Sequence, residues 1–122
     1  MEPITFLVEP IGKPRMTQSD KWRKRPPVVR YHLFCHALKF YSEEVNYELT
    51  ETLSITFVIT MPKSWSLKKK RLMDGEPHRL KPDLDNLIKA FKDAMSEDDS
   101  FVHTYKDIRK IWGEQGCIII QQ

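Results

Sequence analysis

Residues 81–95 read Lys-Pro-Asp-Leu-Asp-Asn-Leu-Ile-Lys-Ala-Phe-Lys-Asp-Ala-Met. Leu84, Leu87, Ile88 and Phe91 recur at the three-and-four spacing of one helix face. Asp83 is a natural N-cap, so a helix is expected from Leu84 to Met95. Pro82 pushes Lys81 out of helical geometry, and the chain enters this helix extended. Upstream, Leu53–Met61 is dense in Ile, Thr, Phe and Val and is stopped by Pro62. Both of its faces are apolar, the pattern of a strand inside a sheet. Downstream, Ser100–Trp112 and Gly116–Ile120 are two closing strands, with Gly113-Glu114-Gln115-Gly116 as their hairpin turn. A helix set between strands predicts an α/β chain of the α+β kind, a mixed β-sheet flanked by helices.

The remaining segments fit this frame. Ile4 to Val8 is a short first strand closed by Glu9-Pro10. Residues 11–28 hold Gly12, Pro14, Pro26 and Pro27 among many charges, without an apolar period, and form a long basic loop or arm. From Arg30 a helix is expected, with Tyr31, Phe34, Cys35, Leu38 and Tyr41 on one face and an end near Glu44 to Asn46. Ser64 or Ser66 caps a short basic helix through Leu72, ended by Gly75.

The 122 residues are one domain, 1–122, with a single core. A hydrophobic fraction of 40% with 30% charged residues excludes a disordered chain. No apolar run approaches the roughly 20 residues that cross a bilayer. The opening Met1-Glu2-Pro3-Ile4 lacks the layout of a signal peptide, so a cytoplasmic protein is expected. Cys35 and Cys117 belong to no C-x-x-C pair and are expected as core thiols. A net charge of +3 is small, but Lys13, Arg15, Lys21, Arg23, Lys24, Arg25 and Arg30 crowd one stretch. Lys68, Lys69, Lys70 and Arg71 form a second cluster. Such local patches attract polyanions.

Against this basic background the carboxylates of the quoted stretch stand out. Asp85 and Lys89 are four apart and project from one helix face. Asp83, as the cap, can turn its carboxylate toward Asp85, and Asn86 lies near the same edge. Each alone is ordinary: an Asp at a helix start is commonly a cap, and Asp with Lys at i+4 is commonly a surface pair. Glu97-Asp98-Asp99 is less ordinary, because acids at a helix C-terminus oppose its dipole. If the next strand packs beside the helix, Asp98 or Asp99 returns toward Asp83 and Asp85. Clustered carboxylates repel one another until a divalent cation joins them. Oxygen ligands without His or Cys favour Mg²⁺, or Mn²⁺ in its place, over zinc. Such a metal serves phosphodiester cleavage, with Lys89 as a fixed positive charge beside the scissile phosphate.

At these residues the sequence resembles the RusA family of Holliday-junction resolvases, homodimeric endonucleases of bacteria and their phages. The resemblance is sharpest in Lys81-Pro82-Asp83-Leu84-Asp85-Asn86-Leu87, in Lys89, and in Asp98-Asp99 before a strand. Lys13-Pro14-Arg15 with its basic arm, Arg30-Tyr31 opening a helix and Met61-Pro62 closing a strand are similar to phage-type members. The resemblance implies Asp83 and Asp85 as metal-binding aspartates, Lys89 as the catalytic lysine and Asp99, beside Asp98, as the third aspartate. It implies Mg²⁺-dependent paired nicking of four-way junction DNA, by a homodimer, in a bacterial or phage-infected cell. Many relatives have a longer Gly-containing segment where this chain has only Met95-Ser96-Glu97.

Lys13, Arg15, Lys21, Arg23, Lys24, Arg25, Arg30, Lys81 and Asn86 are the expected DNA contacts, with Trp22 and Tyr31 as candidate wedges at a base step. His32 and His36 share a helix face but lack a third ligand or an H-E-x-x-H motif. A second nuclease class with a Pro-Asp motif needs a later acid two residues before a lysine. The chain has none; its nearest match is Asp107-Ile108-Arg109. A non-catalytic DNA-binding or phage regulatory protein with a structural acidic cluster is the rival reading.

Overall fold

Thr52–Thr60 forms strand β2, inside the sheet as its two apolar faces require. The computed structural model describes residues 2–15 and 25–122. Before β2 come strand β1 (Ile4–Phe6) and helix α1 (Pro26–Glu44). After it come helices α2 (Leu67–Met73) and α3 (Leu84–Met95), then strands β3 (Thr104–Gly113) and β4 (Cys117–Ile120). The order across the sheet is β1-β4-β2-β3. β2 pairs parallel with β3 and antiparallel with β4, which pairs antiparallel with β1. The expected mixed sheet with flanking helices is the architecture found. Among the described residues no helix is long and apolar enough to cross a membrane.

One sheet face carries the core. Leu53, Ile55 and Phe57 of β2, with Ile118 and Ile120 of β4, meet Tyr31, Phe34 and Leu38 of α1 and Leu87, Ile88 and Phe91 of α3. Leu38, Phe57, Leu87 and Phe91 have no exposed surface, and burying each contributes about 1.5–3 kcal/mol. The apolar period of α3 is thereby used in full, and its opposite side is left to the solvent.

The strand expected from Ser100 begins only at Thr104, and two further expectations need correction. The helix expected from Arg30 begins four residues earlier, with Pro26 and Pro27 at its first positions. Proline's missing N–H costs nothing there, since the first N–H groups of a helix have no intrahelical acceptor. The basic arm therefore loses 26–28 to α1. The second correction is topological. β3 and β4 do not pair with each other, because β2 lies between them. Residues 114–116 carry the chain across the end of β2 rather than around a hairpin. There the Glu9 carboxylate accepts from the backbone N–H (3.1 Å) and hydroxyl (2.6 Å) of Thr60. The Thr60 hydroxyl oxygen in turn accepts from the Gly116 N–H at 2.8 Å.

Ser66 caps α2, accepting from the Lys69 N–H at 3.1 Å, and Gly75 beyond its end has the left-handed φ of 79° that glycine adopts without strain. Residues 75–78 then run beside β3, with Gly75 N–H donating to Trp112 O and His78 N–H to Lys110 O. The crossover from β2 to β3 thus delivers α3 onto the core face and its N-terminus to the β3 edge. Cys35 and Cys117 are free and half-buried.

Candidate active site

The start of α3 is built from both sides. Asp83 has extended backbone, φ −65° and ψ 148°, and its carbonyl accepts from Asn86 and Leu87 N–H, both at 3.1 Å. Its carboxylate makes no capping hydrogen bond. The structural explanation for this aspartate, a side-chain cap, is therefore missing. Asp85 sits in the first turn, where a negative charge suits the helix dipole. Asp83, Asp85 and Lys89 are all exposed. Among the described residues none of these three side chains makes a hydrogen bond or ion pair.

Lys110 holds the approach to Asp83. From β3 its ammonium donates to the Leu80 carbonyl and, at 2.8 Å, to the Pro82 carbonyl. The Lys81–Pro82 peptide is cis. On the other side Gly12 packs against the Asn86 amide and Pro82, so closely that a Cβ at Gly12 would overlap the amide. Asn86 donates to Lys13 O at 3.4 Å. These groups border an open depression of about 510 Å³, lined by Pro10, Ile11, Gly12, Lys81, Pro82, Asp83 and Asn86. A larger one, about 630 Å³, contains none of the candidate residues. Sequence spacing marks neither Lys110 nor Gly12, which lie 27 residues after Asp83 and 71 before it. A glycine in a charged loop was the one available signal.

Asp98 and Asp99 lie elsewhere. The Asp99 carboxylate is 3.5 Å from the Lys92 ammonium, past the C-terminus of α3. Lys92 is held protonated above its ordinary range by Tyr105 and then by Asp99. Asp98 accepts from Ser100 N–H at 3.0 Å, and hydrogen bonding from the Ser100 side chain, then from its backbone, lowers the pKa of Asp98. The twelve residues of α3 separate this end from Asp83 by about 18 Å at 1.5 Å per residue. Within one chain, then, the described residues hold no cluster of three potential metal ligands. What remains is a pair, Asp83 and Asp85. Mg²⁺ commonly takes one or two carboxylates and completes its shell with phosphate oxygens and water, so the pair fits that ion.

The basic arm borders the pair. Lys13 spends its charge on Asp93 of α3, at 2.8 Å, and lies 5.9 Å from the centre of the Tyr31 ring. Arg25 donates to Arg15 O at 2.9 Å. Arg30 and Lys81 are exposed. Lys21, Trp22, Arg23 and Lys24 lie outside the described residues. Tyr31 is buried, stacked on Phe34, and burial drives its pKa up, so this ring belongs to the core and is not presented as a wedge. His32 and His36 are exposed on α1.

No curated protein matches this chain. A family model does, that of endodeoxyribonuclease RusA, and its match runs over residues 9–121. It takes in the arm, the pair at the start of α3 and every strand except β1. With nearly the whole chain covered, the protein belongs to the RusA endodeoxyribonuclease family.

Proposed function

We propose that the protein resolves four-way DNA junctions by paired, Mg²⁺-dependent nicks, acting as a homodimer. The observation that carries this reading is the Asp83–Asp85 pair in a nuclease-family chain: two exposed carboxylates without side-chain partners at the start of α3, the first of them lining a depression. Asp83 and Asp85 are the residues that hold the ion. An ion held by them would supply polarisation of the phosphodiester and a more acidic bound water. Lys89, one turn along α3, stands ready to oppose negative charge that grows on the phosphate. Lys81 and Asn86 at the rim, with Arg15 and Arg30 beyond, hold flanking phosphates and fix the strand's register.

Two arguments favour the homodimer. A four-way junction presents two equivalent phosphates, which a C₂ pair of sites matches. The second argument is geometric. Asp99, which the family resemblance makes a third ligand, sits with Lys92 and forms no three-ligand cluster with the pair among the described residues, so a second copy is the source from which it would reach Asp83 and Asp85.

The test is cleavage of a synthetic junction with Mg²⁺ or with EDTA. Wild type is expected to make symmetric nicks with Mg²⁺ alone, and Asp83→Asn, Asp85→Asn and Asp99→Asn to bind without cutting. Mixing the Asp83→Asn and Asp99→Asn proteins restores one intact site per mixed dimer and hence single nicks. Undiminished cutting by Asp83→Asn or Asp85→Asn removes the assignment. No recovery on mixing removes the shared site. Junction binding without cleavage by wild type favours the non-catalytic reading.

A further inference from the structure

Helix α2 has no buried residue. Lys68, Lys69 and Arg71 are exposed, Lys70 is half-buried, and exposed Lys63 precedes them. Among the described residues none of these five cations has an ion pair. Leu67 and Leu72, at either end, are 72% and 66% exposed. Burial therefore does not account for the helix. It is nonetheless fixed in place: Ser66 caps it, Lys69 lies 4.2 Å from the Trp65 ring centre, and Trp65 packs at 4.8 Å on the buried Trp112 of β3. An ordered cationic ridge whose only nearby sequence carboxylates, Asp74 and Glu76, lie past the helix's last residue is suited to a row of phosphates.

We infer that α2 is a second DNA contact, which grips the phosphate backbone of a junction arm away from the cleavage site; this rests on the function proposed above. Placement supports it. Residues 75–82 connect α2 directly to Asp83 along the β3 edge. Fully extended, these eight residues span at most about 27 Å. At 3.4 Å per base pair that is about eight steps of duplex, so one arm entering the site passes within reach of α2. The contact carries no sequence information, because phosphates are alike at every step.

The experiment compares wild type with Lys68→Gln/Lys70→Gln/Arg71→Gln, titrated against a synthetic four-way junction in EDTA over a range of salt concentrations. Each phosphate contact contributes about 0.9 to the slope of log K against log[salt]. Loss of two to three contacts lowers the slope by roughly 2–3 and weakens binding about 60- to 500-fold at 0.1 M salt. The Lys68→Arg/Lys70→Arg variant keeps the wild-type slope. Methylphosphonates four to eight phosphates from the junction centre weaken wild type toward the triple variant and leave the variant itself unchanged. Matching circular dichroism of the variants excludes misfolding. An unchanged slope and affinity in the triple variant overturns the inference, as does a surface that docks an acidic protein or an anionic vesicle with DNA binding intact. Failure of wild type to bind junctions refutes instead the function on which it rests.

Discussion

Lys110→Met is the substitution that separates support of the site from support of the fold. The Lys110 ammonium binds the carbonyls of Leu80 and Pro82, the latter belonging to the residue just before Asp83. Methionine preserves the aliphatic stem and removes both charged hydrogen bonds. Such bonds contribute about 1.5–3 kcal/mol each in protected settings, and less where solvent reaches them. With one exposed and the other half-buried, the pair is assigned about 1–2 kcal/mol. That lowers Tm by roughly 3–10 °C in a domain of this size. The effect on cleavage is larger than stability requires, because the Asp83 backbone loses its anchor. A displacement near 1 Å at a reacting group costs about 10²-fold in rate.

The assay is single-turnover nicking of a junction across a Mg²⁺ titration, at a temperature where both proteins are folded. Nicking by Lys110→Met is expected to fall 10- to 100-fold at low Mg²⁺, with the titration midpoint displaced to higher concentration and part of the rate regained at saturation. A purely structural role moves Tm alone. Wild-type rate and midpoint in a destabilised Lys110→Met protein would refute the positioning argument.

Three other outcomes are expected. His78 is buried against Trp112, and burial, then the Lys110 charge, lowers its pKa, so the folded protein holds it neutral while the unfolded chain takes up a proton near pH 6.5. Stability is therefore full above that pH and declines as pH falls toward the folded-state pKa; urea midpoints between pH 7.5 and 5.5 should show the decline, flattened in His78→Leu. Phe91→Ala empties a fully buried site on α3 and is expected to cost about 3–5 kcal/mol in urea unfolding, and a loss below about 1 kcal/mol would contradict this packing. Gly12→Ala drives a methyl into the Asn86 amide, at a cost of about 1–3 kcal/mol. Adding Asn86→Ala should recover most of it, and simple additivity of the two losses would show that the contact is not the cause.

The elements were legible in the sequence wherever one local rule governed them. The period of Leu84, Leu87, Ile88 and Phe91 marks α3, and the two-sided apolar run marks β2 as interior. Strand order was not, because pairing depends on surface far away in the chain. Gly113-Glu114-Gln115-Gly116 does reverse the chain as a turn should. Turn chemistry cannot say that β2, formed fifty residues earlier, takes the place between the two strands it joins. The start of α1 was missed for a related reason: Pro26-Pro27 ends a helix or opens one, and the choice rests on which side carries the apolar stripe.

The candidate site divides along the same line. Asp83, Asp85 and Lys89 lie within two helical turns, and helix geometry alone places them. Asp99 is only fourteen residues from Asp85, yet α3 acts as a rigid spacer and sends it to the opposite end. Nearness in sequence was misleading because a helix converts residue count into distance. Lys110 and Gly12, remote in sequence, reach the site because β3, paired parallel with β2, and the described residues just after β1 pass beside it. A sequence motif thus identifies groups that one element carries. The residues that orient those groups come from tertiary neighbours, and the function proposed above takes its third carboxylate from a second copy. For that reason complementation between Asp83→Asn and Asp99→Asn proteins is more informative than either variant alone: each alone loses cleavage whether the site is built from one chain or two, and recovery on mixing requires two.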